Sequence, residues 1–437
     1  MNNLRLLAGL LSAGLLSTGV CADAQTVVSL EEVFATAEAC SAQLRPSLTA
    51  VAEAGYEADV ARAARQPEIN ATLSLSYIGD GFTTKRDFSD ARKAPIPHFG
   101  SGLGVNVSQP VYTGGAITAG IDIAGQKSVA ARFAADFQRD NIRFQLTGFY
   151  LDIYKYTNLR KVVESNIGAA RKVLAEMKAR YEQGTALLND ITRYELLVSN
   201  LGLQLSSIDN TLEILNNNLV TTAGFAPGTV IAPDTTILER SLPCQTELWW
   251  QTEAQSASPT LGLARAGADI CRSAERLAQA ARLPKVSLQA GWTIDGPILV
   301  EVPPIDRNLS YWFVGVGVSY NLSSLYKADK SIAGKRAATR RAVEEFDVSR
   351  QNLAMAVKAD HVRYLEAYEE LKTREKAREL AERNYSTVAT RYSEGMALIT
   401  DMLDAANARL DAGQQLVNAR INIIYYYYKL LFISGTI

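Results

Sequence analysis

Asp401 and Asp404 stand three residues apart in a proline-free stretch rich in helix formers, so their carboxylates share one helix face. Two acidic groups placed this way attract cations; the plainer alternative is a solvated acidic face. Little else in the chain is equipped for chemistry. His98 and His361 are the only histidines, and neither has partners at a metal-ligand spacing. No nucleophile elbow, phosphate-binding loop or cysteine–histidine pair occurs. Neither enzyme chemistry nor a structural metal or cofactor is indicated by these residues.

Composition narrows the classes further. The chain has 437 residues, 45 basic against 46 acidic, and a mean hydropathy of -0.04. A net charge of -1 leaves no footprint for nucleic acid. Beyond the N-terminus no apolar stretch reaches the ~18 residues of a spanning helix. The run from Ile421 to Ile437 comes nearest, and Asn422 and Lys429 interrupt it. A helical membrane protein is excluded, but a β-barrel is not, because its strands hide their apolar face by alternation. Residues 1–24 read as a secretory signal, with Arg5, the apolar run Leu6 to Leu16, and a cleavage site at Ala22-Asp23-Ala24. Cys21 suits a lipoprotein alternative, although Val20 is large for the residue before a lipidated cysteine. Of Cys40, Cys244 and Cys271 at least one must stay unpaired, and all three read as small buried hydrophobes.

The elements that position the acidic pair emerge from the prolines. None lies in 111–226 and none in 305–437. A proline inside a helix costs ~3 kcal/mol, so two such deserts predict very long helices. They also resemble each other. Arg180-Tyr181-Glu182-Gln183-Gly184-Thr185-Ala186-Leu187 matches Arg391-Tyr392-Ser393-Glu394-Gly395-Met396-Ala397-Leu398 at an offset of 211, which also pairs Asp190 with Asp401 and Gly224 with Gly435. Upstream, Tyr150-Leu151-Asp152-Ile153-Tyr154 matches Tyr364-Leu365-Glu366-Ala367-Tyr368 at an offset of 214. One unit is used twice: 25–226, a linker 227–244, and 245–437.

Each unit opens with two shorter helices, about 29–45 and 46–66 in the first, with Ser29 as N-cap, and about 245–257 and 259–282 in the second. Two alternating strands follow, about 68–78 and 102–111, then 285–294 and 311–322. Apolar residues occupy one face and small or polar residues the other, which fits a membrane barrel with a wet lumen. Tyr77, Tyr112, Trp292, Tyr311 and Trp312 suit an interfacial girdle. The segments 79–99 and 295–309 read as exposed loops. A long hairpin completes each unit, about 118–222 turning at Gly184 and about 327–432 turning at Gly395. The outgoing helices reach ~100 Å at 1.5 Å per residue. The short helix before the first strand is of a length to stack on the end of the return helix. The tyrosine run 425–428 and Trp249-Trp250 read as packing.

Four strands cannot close a barrel, and an open edge cannot sit in lipid. Three chains supply twelve strands and bring together six hairpins far longer than a bilayer is thick. The fold class predicted is mainly α with a small transmembrane β-barrel, trimeric, its helices standing in the periplasm. A periplasmic coiled-coil adaptor or scaffold is the alternative, and two hairpins with four strands of this kind argue against it.

At this point the chain resembles the TolC family of outer-membrane efflux ducts. The resemblance covers the mature sequence and rests on the duplicated order, the Tyr-x-x-Gly turns, Asp401-Met402-Leu403-Asp404 and the ending Ser434-Gly435-Thr436. It implies a homotrimer in the outer membrane of a Gram-negative bacterium, working with a periplasmic adaptor and an inner-membrane transporter. It implies a tip closed at rest, with Tyr392 holding the inner hairpin, Asp190 as its hydrogen-bonding partner, and Asp401 and Asp404 ringing the entrance. Threefold symmetry then sets six carboxylates around one axis, where mutual repulsion makes full ionisation costly and cations are favoured. The family's constricting arginine is replaced by Ala397, and Arg193 is the candidate substitute.

Overall fold

The computed structural model describes residues 26–234, 242–243, 245–301 and 304–437. The signal segment, Cys21 and Cys244 lie outside the described residues. In chain order the elements are β1 (Thr26–Val28), α1 (Leu30–Cys40), α2 (Arg45–Ala63), β2 (Glu68–Tyr77), β3 (Gly81–Thr83), β4 (Arg92–Ala94), β5 (Phe99–Tyr112), α3 (Ala116–Glu182), α4 (Leu188–Ala223) and β6 (Ile231–Pro233). Then come α5 (Glu247–Ala257), α6 (Pro259–Ala280), β7 (Lys285–Gly296), β8 (Leu309–Ser319), α7 (Ser324–Ser393) and α8 (Ile399–Ser434). The protein is mainly α, and the helix–strand–strand–helix order occurs twice.

The helices follow from local chemistry. Ser29 and Glu32 form a reciprocal capping box at the start of α1, and Thr246 caps α5 by accepting from the Trp249 N–H. α3 and α7 run uninterrupted for 67 and 70 residues. Pairs such as Arg160–Glu164 (3.5 Å) and Arg340–Glu344 (3.2 Å), each four residues apart, keep the exposed faces charged and helical.

The chain divides into two compact units. One holds α2, α5, α6, the four-stranded sheet, the N-terminal parts of α3 and α7, and the end of α8. Its sheet runs β2-β5-β7-β8, all antiparallel. The register sorts the side chains. Ala71, Val105, Trp292 and Trp312 stand in one row, and Ile69, Val107, Ala290 and Val314 in the next row on that face. The interleaved rows, Asn70-Asn106-Gly291-Phe313 and Thr72-Gly104-Thr293-Tyr311, make the other face. The alternations of all four strands are therefore in phase. The apolar face is open: Leu73 is 70% exposed and Trp312 74%.

Three strand-level expectations change. Tyr311 sits in the polar-face row, so it is not part of an apolar-face girdle, and Trp292 lies mid-strand against Trp312. β8 stops at Ser319 because Asn321 folds the chain into a turn, its side chain accepting from the Ser323 N–H at 3.2 Å and its carbonyl from the Ser324 hydroxyl at 2.6 Å. The segment 79–99 carries its own small hairpin, β3–β4.

The same unit packs its tyrosine run as a core. Tyr427 meets Trp250 and Tyr364 with ring centroids 6.2 and 6.1 Å apart, and Tyr425 lies 5.6 Å from Phe144. Lys429, the charge that interrupts the C-terminal apolar run, reaches the buried Asp360 at 3.0 Å, and Arg363 bonds the same oxygen at 3.2 Å. Removing one partner of such a buried pair typically costs about 3–5 kcal/mol.

The other unit holds α1, α4, the C-terminal part of α3, α7 from Leu371 and α8 to Ile421. Its core is a heptad seam. Ile191, Tyr194, Leu201 and Ile208 of α4, spaced by three and then seven residues, are buried facing Leu159, Val163, Ile167, Ala170 and Met177 of α3, with Ile399 and Met402 of α8 completing the cluster. A parallel pair, β1–β6, lies outside the two expected strand pairs. Tyr150 ties it down, its hydroxyl donating to the Val28 carbonyl at 2.9 Å and accepting from the Asp234 N–H at 2.7 Å. Cys40, expected buried, is exposed because it ends α1 at a corner.

The return helices end in matched glycines. Gly224 caps α4 at φ +82, and a Cβ there would stand 2.8 Å from the Cys40 carbonyl. Gly435 follows α8 at φ +76, where a Cβ would stand 2.7 Å from the Ala257 carbonyl and from the ring of Pro259, the first residue of α6. In the second repeat the return helix thus meets the start of the short helix. At Gly184 the φ is +75 with open space around it. Gly184→Ala is expected to cost about 1–2 kcal/mol, the left-handed penalty alone. Gly224→Ala and Gly435→Ala are expected to cost more, since backbone must also move. Thermal unfolding of the three variants checks the ordering, and equal losses would contradict it.

Candidate functional site

The two long helices end in turns of one design, both within the heptad-seam unit. At the first, the Gly184 N–H donates to the Tyr181 carbonyl at 2.9 Å and the Thr185 N–H to the Arg180 carbonyl at 2.9 Å. At the second, Gly395 donates to Tyr392 at 3.1 Å and Met396 to Arg391 at 2.8 Å. Gly184 and Gly395 carry φ of +75 and +76, the left-handed closure that glycine adopts without a Cβ clash.

Tyr392, in the last turn of α7, is half-buried against the α3–α4 seam. Its hydroxyl is pushed above the usual tyrosine range, first by burial and next by the Asp190 carboxylate, with Arg180 opposing. Tyr392 and Asp190 are therefore neighbours that feel each other electrostatically. No hydrogen bond joins them among the described residues, so the hydrogen-bonded pair implied by the family is not formed here. Tyr194, fully buried one turn beyond Asp190, is pushed up more strongly, by burial first and then by the nearby Tyr385 and Tyr392.

Asp401 and Asp404 are both exposed on the first turns of α8. Asp401 also acts locally. Its Oδ2 accepts from the Leu398 N–H at 3.1 Å, closing half of a capping box at the helix start. A carboxylate there is favoured by the helix dipole. Arg193 is exposed and makes no ion pair among the described residues, so within the chain it does not replace the arginine absent at Ala397.

Two residues that sequence reasoning missed bind these elements together. Arg180 of α3 reaches across to the end of α7, its Nη2 donating to the Ser393 carbonyl at 2.6 Å and its Nη1 to the Tyr392 carbonyl at 3.4 Å. A cation on carbonyls at a helix C-terminus is favoured. Farther from the turns, Arg409 of α8 lies 3.9 Å over the Tyr385 ring and donates to the Asn166 side-chain oxygen at 2.9 Å. It joins α3, α7 and α8 at one point. Arg180 stands inside the repeated octet, so its position is visible in the sequence; its partners, more than 200 residues away along the chain, are not.

The geometry is that of a packed pair of hairpins with charged tips. Among the described residues no group of three or more His, Cys, Asp and Glu could hold a metal ion. The model of the family described as outer membrane efflux protein matches residues 33–224 and 250–435. The chain belongs to that family. The match falls on the two repeats and covers most of the sequence, and the family and fold are those of passive transport channels. No curated protein sequence matches the chain.

Solved structures of outer membrane proteins and channels share the fold. The outer membrane protein VceC of Vibrio cholerae is 17% identical, with a TM-score of 0.78 over 93% of this chain and 96% of that one. The CmeC outer membrane channel of Campylobacter jejuni is 12% identical, with a TM-score of 0.76 over 93% and 85%. The open state of the Neisseria gonorrhoeae MtrE outer membrane channel is 15% identical, with a TM-score of 0.69 over 93% and 88%.

The Tyr392–Asp190 coupling is testable by titration. Because the folded-state pKa values of Tyr392 and Tyr194 lie above the unfolded one, the stability they confer is fully present below about pH 10 and is lost as pH rises through the folded values. Asp190→Asn is expected to bring Tyr392 ionisation to lower pH, read as tyrosinate absorbance against a Tyr392→Phe blank. An unchanged titration would mean that burial alone sets the shift.

Proposed function

We propose that this protein is the outer-membrane exit duct of a tripartite export system. On this reading it is a homotrimer that conducts substrate passively from an inner-membrane transporter, joined through a periplasmic adaptor. It is not an enzyme, and it resides in the outer membrane of a Gram-negative bacterium. The carrying observation is the register of the four-stranded sheet. The four strands alternate in phase, with most of their apolar residues on one exposed face and mostly small or polar residues on the other, Tyr311 and Phe313 excepted, as a wall between lipid and a wet lumen requires. β2 and β8 each have an unpaired edge in the chain, and pairing β8 of one copy with β2 of the next closes the wall. No helix of the described residues is long and apolar enough to cross a membrane.

In the closed ring the α7–α8 turns supply the entrance. Asp401 and Asp404, both exposed near the start of α8, give the proposed acidic ring, and Tyr392, packed on the α3–α4 seam near Asp190, helps hold the inner hairpin to the outer one. Arg193 is free to latch onto a neighbouring copy.

Extraction should require detergent and yield a trimer; a monomer soluble in plain buffer would favour the adaptor reading. In planar bilayers the trimer should show a cation-selective conductance blocked by multivalent cations. Asp404→Asn and Asp401→Asn should each weaken that block, and asparagine at 401 keeps an acceptor for the Leu398 N–H. Unchanged block in the double variant would remove both residues from the entrance.

A further inference from the structure

The internal duplication makes each hairpin turn a template for the other, and one contact is made at only one of them. Arg180, at the first turn, donates to the carbonyls of Tyr392 and Ser393 at the end of α7. Its repeat equivalent, Arg391, carries the same residue type on the same turn geometry. Yet Arg391 is exposed and its side chain makes no hydrogen bond or ion pair among the described residues. The acceptors equivalent to those Arg180 fills are the carbonyls of Tyr181 and Glu182, at the end of α3. The Glu182 carbonyl accepts nothing among the described residues, whereas its counterpart at Ser393 is taken. The tyrosine rings differ in the same sense: Tyr392 is packed against the neighbouring hairpin, while Tyr181 is 45% exposed. One side of the duplicated contact is complete within the chain, and the donor, the acceptors and the cover of the other side are all present but apart.

We infer that Arg391 docks on the carbonyls of Tyr181 and Glu182 in a second copy of this chain, repeating between subunits the clasp that Arg180 makes within one. This rests on the ring of copies proposed above. In such a ring, hairpins alternate first, second, first, second, so the step from first to second inside a chain and the step from second to the next first are the same operation. Arg180 serves one and Arg391 the other. The operation also brings Asp401, the equivalent of Asp190, beside the tyrosine at 181 in the second copy. A guanidinium suits this contact because its fork can reach two adjacent carbonyls at once and stays charged at any working pH, and the helix end it meets is electronegative. The result is one closed belt of arginine clasps at the level of the turns, with half its links inside chains and half between them.

The full chain is prepared with Cys40, Cys244 and Cys271 replaced by serine, and its mass in detergent is measured first. Arg391→Cys and Glu182→Cys are then combined and treated with a short bis-maleimide, because an arginine-length gap exceeds the ~4.4–6.8 Å Cα separation of a disulfide. The expected product on a denaturing gel is a ladder of covalent dimer and trimer. The control pair Arg180→Cys with Ser393→Cys should react within the chain and stay at monomer mass. A trimer in which the control reacts and the 391/182 pair does not link chains overturns the inter-subunit clasp alone. A monomer overturns the duct reading and the clasp with it. In the cysteine-intact protein, Arg391→Gln should lower the temperature at which the trimer dissociates, and Arg391→Lys should recover part of the loss. Dissociation unchanged in Arg391→Gln overturns the proposal without depending on any cross-link.

Discussion

A four-stranded sheet with one exposed apolar face and an unpaired edge on each outer strand sets the terms for the whole chain. Backbone N–H and C=O groups at such edges need partners, and in hydrocarbon there is no water to provide them. The apolar face is open as well, and the opposite face, mostly polar with Asn70, Asn106, Gly291 and Thr293 beside Tyr311 and Phe313, offers it no core. Both demands are met if the strands continue into other copies. The internal duplication then follows as a consequence of size: two hairpin units per chain halve the number of subunits needed to close the same circle.

The helical parts answer a different solvent. Their stability comes from a narrow heptad seam, with long charged faces left to water, which is why a membrane protein reads as an ordinary soluble one in composition. Among the described residues the strands carry the open apolar face. Some of the charges that enter the interior are matched. Asp360 holds Lys429 and Arg363, and Arg409 is spread over a tyrosine ring and an asparagine oxygen. Asp360 and Lys429 join α7 to α8, and Arg409 joins α8 to α7 and to the distant α3, so these polar groups tie helices together while the seam fixes how they pack.

Much of the fold is legible in the sequence because its signals are periodic or repeated. Proline-free stretches, alternation by two in the strands and the matched octets at Gly184 and Gly395 are patterns that a single sequence carries. The features that escape it lack a period. β1 and β6 are three residues each and owe their pairing to Tyr150, more than 100 residues from Val28. Tyr311 looks like a lipid-facing aromatic by its place near a strand end, although its parity sets it beside Thr293 on the polar face. Cys40 has the residue type of a buried hydrophobe, and a helix end at a corner exposes it. At the tips, the spacing of Asp401 and Asp404 places them on one helix face, but the capping bond from Leu398 to Asp401 depends on where the helix starts, which periodicity locates only loosely.

The duplication explains why some of the site cannot be read from one chain at all. Repeats that diverged from a common unit keep the same turn, the same tyrosine and the same arginine, yet inside a chain each hairpin has its sibling on one side only. Arg180 and Tyr392 are satisfied there; Arg391 and Tyr181 are not. The asymmetry is therefore not in the residues but in the boundary of the polypeptide. If the tip opens by swinging the second hairpin away from the first, the clasp that Arg180 makes within a chain and the one assigned to Arg391 between chains are strained by the same movement. Opening then becomes a property of the belt as a whole, because no link can release without loading its neighbours. The absence of the family's constricting arginine at Ala397 fits such an arrangement, since a belt of clasps on backbone carbonyls can hold the tip without a salt bridge at that position.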